Sequence, residues 1–82
     1  MLEPRYREFF KTLGNQQRIE IVLCLLEGDK NVSQIVKCLR AEQSTISHNL
    51  KRLVQCSFIT SEAQGKERIY SVNQKTIRPL FA

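Results

Sequence analysis

The 82-residue sequence lacks the features that mark several classes of protein. Its longest apolar run, residues 21–26, is far too short to cross a bilayer, so we expect no membrane span. Three cysteines, an odd number at irregular spacings, follow a charged N-terminal stretch that does not resemble a signal peptide. This pattern argues against a disulfide scaffold. We therefore predict a cytoplasmic protein with reduced thiols.

Signatures of catalysis and of metal binding are also missing. There is no glycine-rich phosphate loop, no plausible pair of catalytic carboxylates and no Cys–His pair with an orienting group. The single histidine, His48, has no cysteine or second histidine at ligand spacing on its helix. We expect no enzymatic activity, no cofactor and no metal site.

The sequence does contain an excess of positive charge, and its length suits one domain. The formal net charge is +5, spread along the chain, and it favours a polyanionic partner such as nucleic acid. With no repeats or linkers in the sequence, we predict a single domain over residues 1–82.

Helical patterns occupy the first two thirds of the chain. Pro4 begins one amphipathic segment, and Gly14 can end it in a left-handed cap. Asn15 can cap the next helix, residues 16–27, which is apolar nearly all round and is expected to be covered on more than one side. Two further helices, separated by a three-residue turn, predict a helix-turn-helix over about residues 32–56.

The last of these helices has an apolar stripe and a polar face. The stripe consists of Ile46, Leu50, Leu53 and Val54. Hydroxyl groups come early on the polar face and cations later, which suits a helix that touches base edges first and holds phosphates afterwards in the DNA major groove. A plain solvated surface would also be polar. The predicted DNA-binding residues are Gln43, Ser44, Thr45, Ser47, His48, Lys51, Arg52 and Gln55.

The period changes after residue 57. Residues 58–63 and 69–72 are rich in β-branched and aromatic side chains around a polar tip, which predicts a hairpin over about 58–72. Lys66 and Arg68 at the tip could contact DNA, although a solvated turn is the alternative. Asn73 can cap a last short helix. The predicted fold is mainly α with a small β-hairpin: a winged helix-turn-helix in the order α-α-α-α-β-β-(α).

The sequence from Gln43 to Leu53, QSTISHNLKRL, resembles the recognition helix of the ArsR/SmtB repressor family, Q-S-T-V-S-H-H-L-K-x-L. Residues 13–21 and 58–73 resemble that family's second helix and wing. The resemblance implies a dimeric repressor that binds a near-palindromic operator in double-stranded DNA. It also implies a homodimer interface made by the first and last helices, although packing within one chain is the alternative. The residues expected there are Leu2, Tyr6, Phe9, Phe10, Ile77, Leu80 and Phe81.

Departures from the family pattern limit what the resemblance implies. Metal-sensing members carry a Cys-x-Cys pair where this chain has Asn31 and Ser33, and the last helix lacks the Asp and His ligands of the second family site. Metal sensing is therefore not expected. Arg40 and Ser57 stand where the family usually has glycine, and a left-handed backbone there would cost about 1 kcal/mol at each.

Two other functions stay open. One is a thiol-redox-responsive repressor that uses Cys24, Cys38 and Cys56. The other is a winged-helix module that docks another protein, for which larger apolar or aromatic anchors would be expected on the polar helix face. The sequence identifies no small-molecule effector.

Overall fold

The computed structural model describes Lys11 and residues 14–81. Within this part the elements follow in the predicted winged helix-turn-helix order. They are α1 (Gln16–Leu26), α2 (Val32–Leu39), α3 (Gln43–Gln55), β1 (Ile59–Gln64), β2 (Glu67–Val72) and α4 (Gln74–Phe81). The helix predicted to begin at Pro4 lies almost wholly outside the described residues.

Helix α1 begins at the predicted cap and buries only one face. The Asn15 side chain accepts hydrogen bonds from the backbone N–H groups of Gln17 and Arg18, at 2.8 and 3.4 Å. Ile21, Val22, Cys24 and Leu25 are buried against α2, α3 and β2. On another face three large side chains stay exposed, so the expected cover on more than one side is not found among the described residues. They are Ile19 (41%), Leu23 (52%) and Leu26 (45%).

Helix α2 is closed at both ends by local hydrogen bonds. Its N-terminus carries a capping box, in which Asn31 and Gln34 each accept at 2.9 Å from the other's backbone N–H. At its C-terminus Arg40 adopts the left-handed conformation, with φ of 54° and ψ of 45°. This turn leads through Ala41 and Glu42 into α3.

The wing is a two-stranded antiparallel hairpin with pairs from Ile59–Val72 to Gln64–Glu67. Its turn has two residues, and Gly65 takes the positive φ (63°) that a glycine accommodates most easily. The observed tip is shorter than predicted because Gln64 and Glu67 pair. Lys30, just before α2, forms a bridge to Tyr70 with backbone hydrogen bonds of 3.1 and 2.8 Å.

The hydrophobic core lies where α1, α2 and α3 meet the base of the wing. Its members come from every described helix and from both strands: Ile21, Val22, Cys24, Leu25, Ile35, Ile46, Leu50, Leu53, Phe58, Ile59, Val72 and Ile77. No helix in the described part of the chain is long and apolar enough to cross a membrane.

Candidate nucleic-acid interface

Helix α3 divides into a buried stripe and an exposed face, as the periodicity predicted. Ile46, Leu50 and Leu53 are 0%, 1% and 0% exposed, and Val54 is half-buried. The eight polar side chains predicted to bind DNA are all exposed: Gln43, Ser44, Thr45, Ser47, His48, Lys51, Arg52 and Gln55. The core therefore fixes α3 with its polar face toward solvent.

The exposed face keeps most of its hydrogen-bonding capacity available. Among the described residues, only Ser44 of this set uses its side chain internally, donating from Oγ to Glu42 Oε1 at 2.9 Å. The helix contains two cations, Lys51 and Arg52, and no acidic residue. Hydroxyls lie near the positive end of the helix dipole, and the two cations follow them. Such a face can hydrogen-bond the base edges of a nucleic acid and pair with its phosphates.

The wing is held beside the start of α2. Glu67 Oε1 accepts a hydrogen bond of 3.3 Å from Asn31 Nδ2, and this contact directs the carboxylate toward α2. Arg68 donates from Nη1 to Ser61 Oγ at 2.8 Å across the hairpin. Lys66 lies exposed in the turn itself. Both predicted wing cations are therefore on the surface, and the carboxylate between them is hydrogen-bonded to Asn31.

A polar cluster that was not predicted from the sequence lies behind α3. Asn49 is buried, at 3% exposed, although it belongs to the helix with the polar face. Its Oδ1 accepts from Arg18 Nε at 2.9 Å, and its Nδ2 donates to Gln17 Oε1 at 2.5 Å. The available signal was spacing, since Asn49 follows Ile46 by three residues and precedes Leu53 by four, which places it within the apolar stripe.

The cysteines differ sharply in environment. Cys24 is buried, Cys38 is exposed and Cys56 is intermediate, and none of these three described cysteines forms a disulfide. Burial, together with a side-chain hydrogen bond to Cys38, raises the pKa of the Cys24 thiol from 9.0 to about 11. At neutral pH Cys24 is therefore protonated and a poor nucleophile.

Comparison with known proteins identifies the family of this sequence. Residues 15–61 fit the family described as bacterial regulatory protein, arsR family. The chain belongs to the ArsR family. Its members are helix-turn-helix transcriptional regulators, and this chain is accordingly a DNA-binding transcriptional regulator with a winged helix fold.

Individual relatives agree with the assignment. The arsenical resistance operon repressor of Bacillus subtilis (strain 168) is 30% identical over 79 residues, which cover 95% of this chain and 75% of the relative. The crystal structure of Rv0081 from Mycobacterium tuberculosis is 30% identical, with a TM-score of 0.81, and covers 98% of this chain and 85% of that one. The homodimeric domain Mb0332 of Mycobacterium bovis, 23% identical, shares the fold with a TM-score of 0.82 over 94% and 71% of the two chains.

Asn31 and Ser33 stand at the positions where ArsR-family metal sensors carry the Cys-x-Cys pair. Asn31 caps α2 and holds Glu67, while Ser33 lines an open cleft between α2 and the wing. Within the described residues, no group of three or more His, Cys, Asp or Glu side chains is placed to hold a metal ion.

The structure places one residue of the predicted dimer interface, Ile77, in the core of its own chain. Its side chain is 2% exposed. Little of its side chain is left for a second protomer to cover. The remaining predicted interface side chains lie outside the described part of the structure: Leu2, Tyr6, Phe9, Phe10, Leu80 and Phe81.

Proposed function

We propose that this ArsR-family regulator is a homodimeric repressor that occupies a near-palindromic promoter operator and reads the major groove with α3. The observation that carries the proposal is the two-sided character of α3. One side is fully packed into the core, while the other presents eight exposed polar side chains and no acid. An α-helix of this kind fits the major groove of B-DNA.

The order of groups along α3 suggests distinct roles. Ser44, Thr45 and His48 lie toward the N-terminal end, where a recognition helix touches base edges. Lys51 and Arg52 follow, and we assign them to phosphates, which set the register without reading sequence. Lys66 and Arg68 of the wing would contact the neighbouring DNA backbone. The hydrogen bond from Asn31 to Glu67 favours this, because it directs the negative charge between them toward α2.

A homodimer accounts for the exposed apolar side chains of α1. Ile19, Leu23 and Leu26 recur at intervals of four and three residues and are each more than two fifths exposed. The Mycobacterium bovis domain that shares this fold is homodimeric. Two copies would present two recognition helices about one DNA turn apart, which explains the expected near-palindrome. A cytoplasmic location follows from action on a promoter.

Fluorescence anisotropy tests the proposal most directly. The protein is titrated against its own upstream promoter DNA and a scrambled duplex, at two salt concentrations. We expect salt-sensitive binding that prefers the promoter by about 10³-fold or more. Equal, weak binding to both would overturn sequence-specific repression and favour a protein-docking module. Sedimentation of the free protein tests the dimer separately, and a monomer at all concentrations would contradict it.

The proximity of Cys24 and Cys38 supports a second candidate, a repressor that responds to peroxide through these two thiols. Cys24 lies on α1 and Cys38 on α2, near enough for Cys38 to contribute to the raised pKa of the Cys24 thiol. The exposed Cys38 would react first: its thiolate attacks hydrogen peroxide, the O–O bond breaks, and a sulfenic acid and one water result. Cys24 would then lose its proton, attack the Cys38 sulfur and release a second water. Two thiols thus give up two electrons and two protons to one peroxide.

Mass spectrometry and anisotropy test this second candidate together. Peroxide treatment should lower the mass by two hydrogens, link the Cys24 and Cys38 peptides and weaken DNA binding, because Cys38 lies two residues before the turn into α3. Cys38→Ser should abolish the response, while Cys56→Ser should keep it. Oxidised protein with unchanged DNA affinity would contradict the switch.

A further inference from the structure

The buried amide of Asn49 joins the recognition helix to α1 through two directed hydrogen bonds. Within the described residues Asn49 is the only buried polar side chain. Its partners Arg18 and Gln17 are adjacent in sequence and lie in the first turn of α1, more than thirty residues away along the chain. The cluster therefore connects the N-terminal end of α1 to the middle of α3.

The direction of each bond is forced by chemistry. An arginine side chain has only donors, so Asn49 must turn its Oδ1 toward Arg18 and its Nδ2 toward Gln17. Gln17 must then present its Oε1. With its oxygen and its amide nitrogen each facing a different partner, the Asn49 amide fits in one orientation, and rotation of α3 about its axis would break both bonds.

The apolar contacts of α3 fix which face is buried, but they constrain its fine rotation less tightly than directed hydrogen bonds do. Ile46, Leu50 and Leu53 are stabilised by removal of apolar surface from water, a force without direction that tolerates small rotations and tilts. Hydrogen bonds of good geometry do not tolerate them. A buried, hydrogen-bonded polar group adds little net stability, and in some proteins it fixes one arrangement of the elements that it joins.

We propose that Asn49, with Arg18 and Gln17, is a positioning cluster that sets the rotation of α3 and thereby the sequence discrimination of the regulator. This inference rests on the proposed reading of DNA by α3. Asn49 follows His48 directly, so rotation of α3 about its axis displaces the side chains assigned to base edges. Base contacts require placement within about 0.5 Å, whereas long, flexible cations can still reach phosphates after a small rotation.

The test removes one acceptor and leaves the core intact. Gln17→Met keeps the length of the side chain but deprives Asn49 Nδ2 of its partner. Gln16→Met is the matched control, because Gln16 is exposed and donates only to Glu20, at 3.0 Å on the surface. Each variant is titrated against a duplex selected by the wild-type protein from a randomised library, and against a scrambled duplex.

We expect Gln17→Met to lose affinity for the selected duplex by about tenfold, corresponding to about 1.4 kcal/mol. Its affinity for the scrambled duplex and its salt dependence should stay within about twofold of wild type, because the phosphate contacts remain. Gln16→Met should match wild type on both duplexes. Gln17→Glu, which keeps an acceptor, should restore discrimination. Asn49→Leu should act like Gln17→Met, only more strongly.

Other outcomes overturn the positioning role. Equal losses on both duplexes with a lower melting temperature would mean that the cluster only stabilises the fold. If the ratio of affinities for the selected and scrambled duplexes is unchanged in Gln17→Met, α3 is positioned without the bond from Asn49 to Gln17. Residual dipolar couplings of the DNA-free protein give an independent reading, since α3 should turn relative to α1 in Gln17→Met but not in Gln16→Met. If wild type itself fails to discriminate between duplexes while α3 turns as expected, the proposed function fails and the positioning of α3 does not.

Discussion

The side-chain amide of Asn31 donates a hydrogen bond of 3.3 Å to the carboxylate of Glu67, which joins the wing to the first turn of α2. Asn31 also accepts from the Gln34 backbone N–H as the cap of that helix. One side chain therefore serves both the start of the helix-turn-helix and the orientation of the hairpin. It also directs the only acid between Lys66 and Arg68 away from the tip of the wing.

Substitutions of Asn31 should separate these two roles. Asn31→Ala removes both the cap and the link to the wing, and we expect the free energy of unfolding to fall by about 1 kcal/mol. Asn31→Asp keeps the cap, so its free energy of unfolding should fall less than that of Asn31→Ala. It also places a second carboxylate beside Glu67, which breaks the link to the wing. In Asn31→Asp the amide hydrogens of the wing should exchange faster than in wild type. Urea unfolding and hydrogen exchange measure the two effects, and identical exchange in wild type and Asn31→Asp would contradict the link.

Ser57, two residues after the end of α3, adopts a left-handed backbone with φ of 64°. Its Cβ makes this conformation costly, so Ser57→Gly should raise the free energy of unfolding by about 1 kcal/mol, less the entropy that glycine loses on folding. Ser57→Ala is the control, because it removes the hydroxyl and keeps the Cβ. Urea unfolding of the three proteins decides the matter. A gain in Ser57→Ala equal to that in Ser57→Gly would place the cost in the hydroxyl instead.

The sequence was sufficient to predict features that depend on neighbours along the chain. The two faces of α3 follow from helical spacing alone, because Ile46, Leu50 and Leu53 recur at intervals of four and three. Arg40 and Ser57 stand where the family usually has glycine, and both adopt the left-handed backbone that glycine accommodates most easily. In each case the information lies within a few residues.

Features that depend on distant partners were not predictable in the same way. The bridge between Lys30 and Tyr70 joins residues forty apart, and Asn49 finds its partners only once α1 and α3 have packed. The exposure of Leu23 is of the same kind, since a helix that is apolar all round does not reveal which face its own chain covers. Periodicity identifies a buried face but not the element that buries it.

Arg52 provides a test of phosphate binding by α3. Its exposed guanidinium is not used by the described part of the protein, so Arg52→Ala should weaken binding to all duplexes and reduce the salt slope by about one unit. Lys75→Ala, which removes an exposed cation from α4, is the control and should leave the slope unchanged. Anisotropy over a series of salt concentrations measures both. A slope in Arg52→Ala equal to that of wild type would remove Arg52 from the interface.

The buried thiol of Cys24 should make the stability of the fold depend on alkaline pH. Burial and the hydrogen bond to Cys38 raise its pKa from 9.0 to about 11, so the folded protein holds this proton more tightly than the unfolded chain does. The resulting stability is fully present below pH 9.0 and is lost as the pH rises through about 11. Cys24→Val fills the same apolar site with a group that does not ionise, and its free energy of unfolding should therefore fall less over this interval. Urea unfolding of both proteins across the range provides the comparison, and parallel curves would show that Cys24 does not ionise on unfolding there.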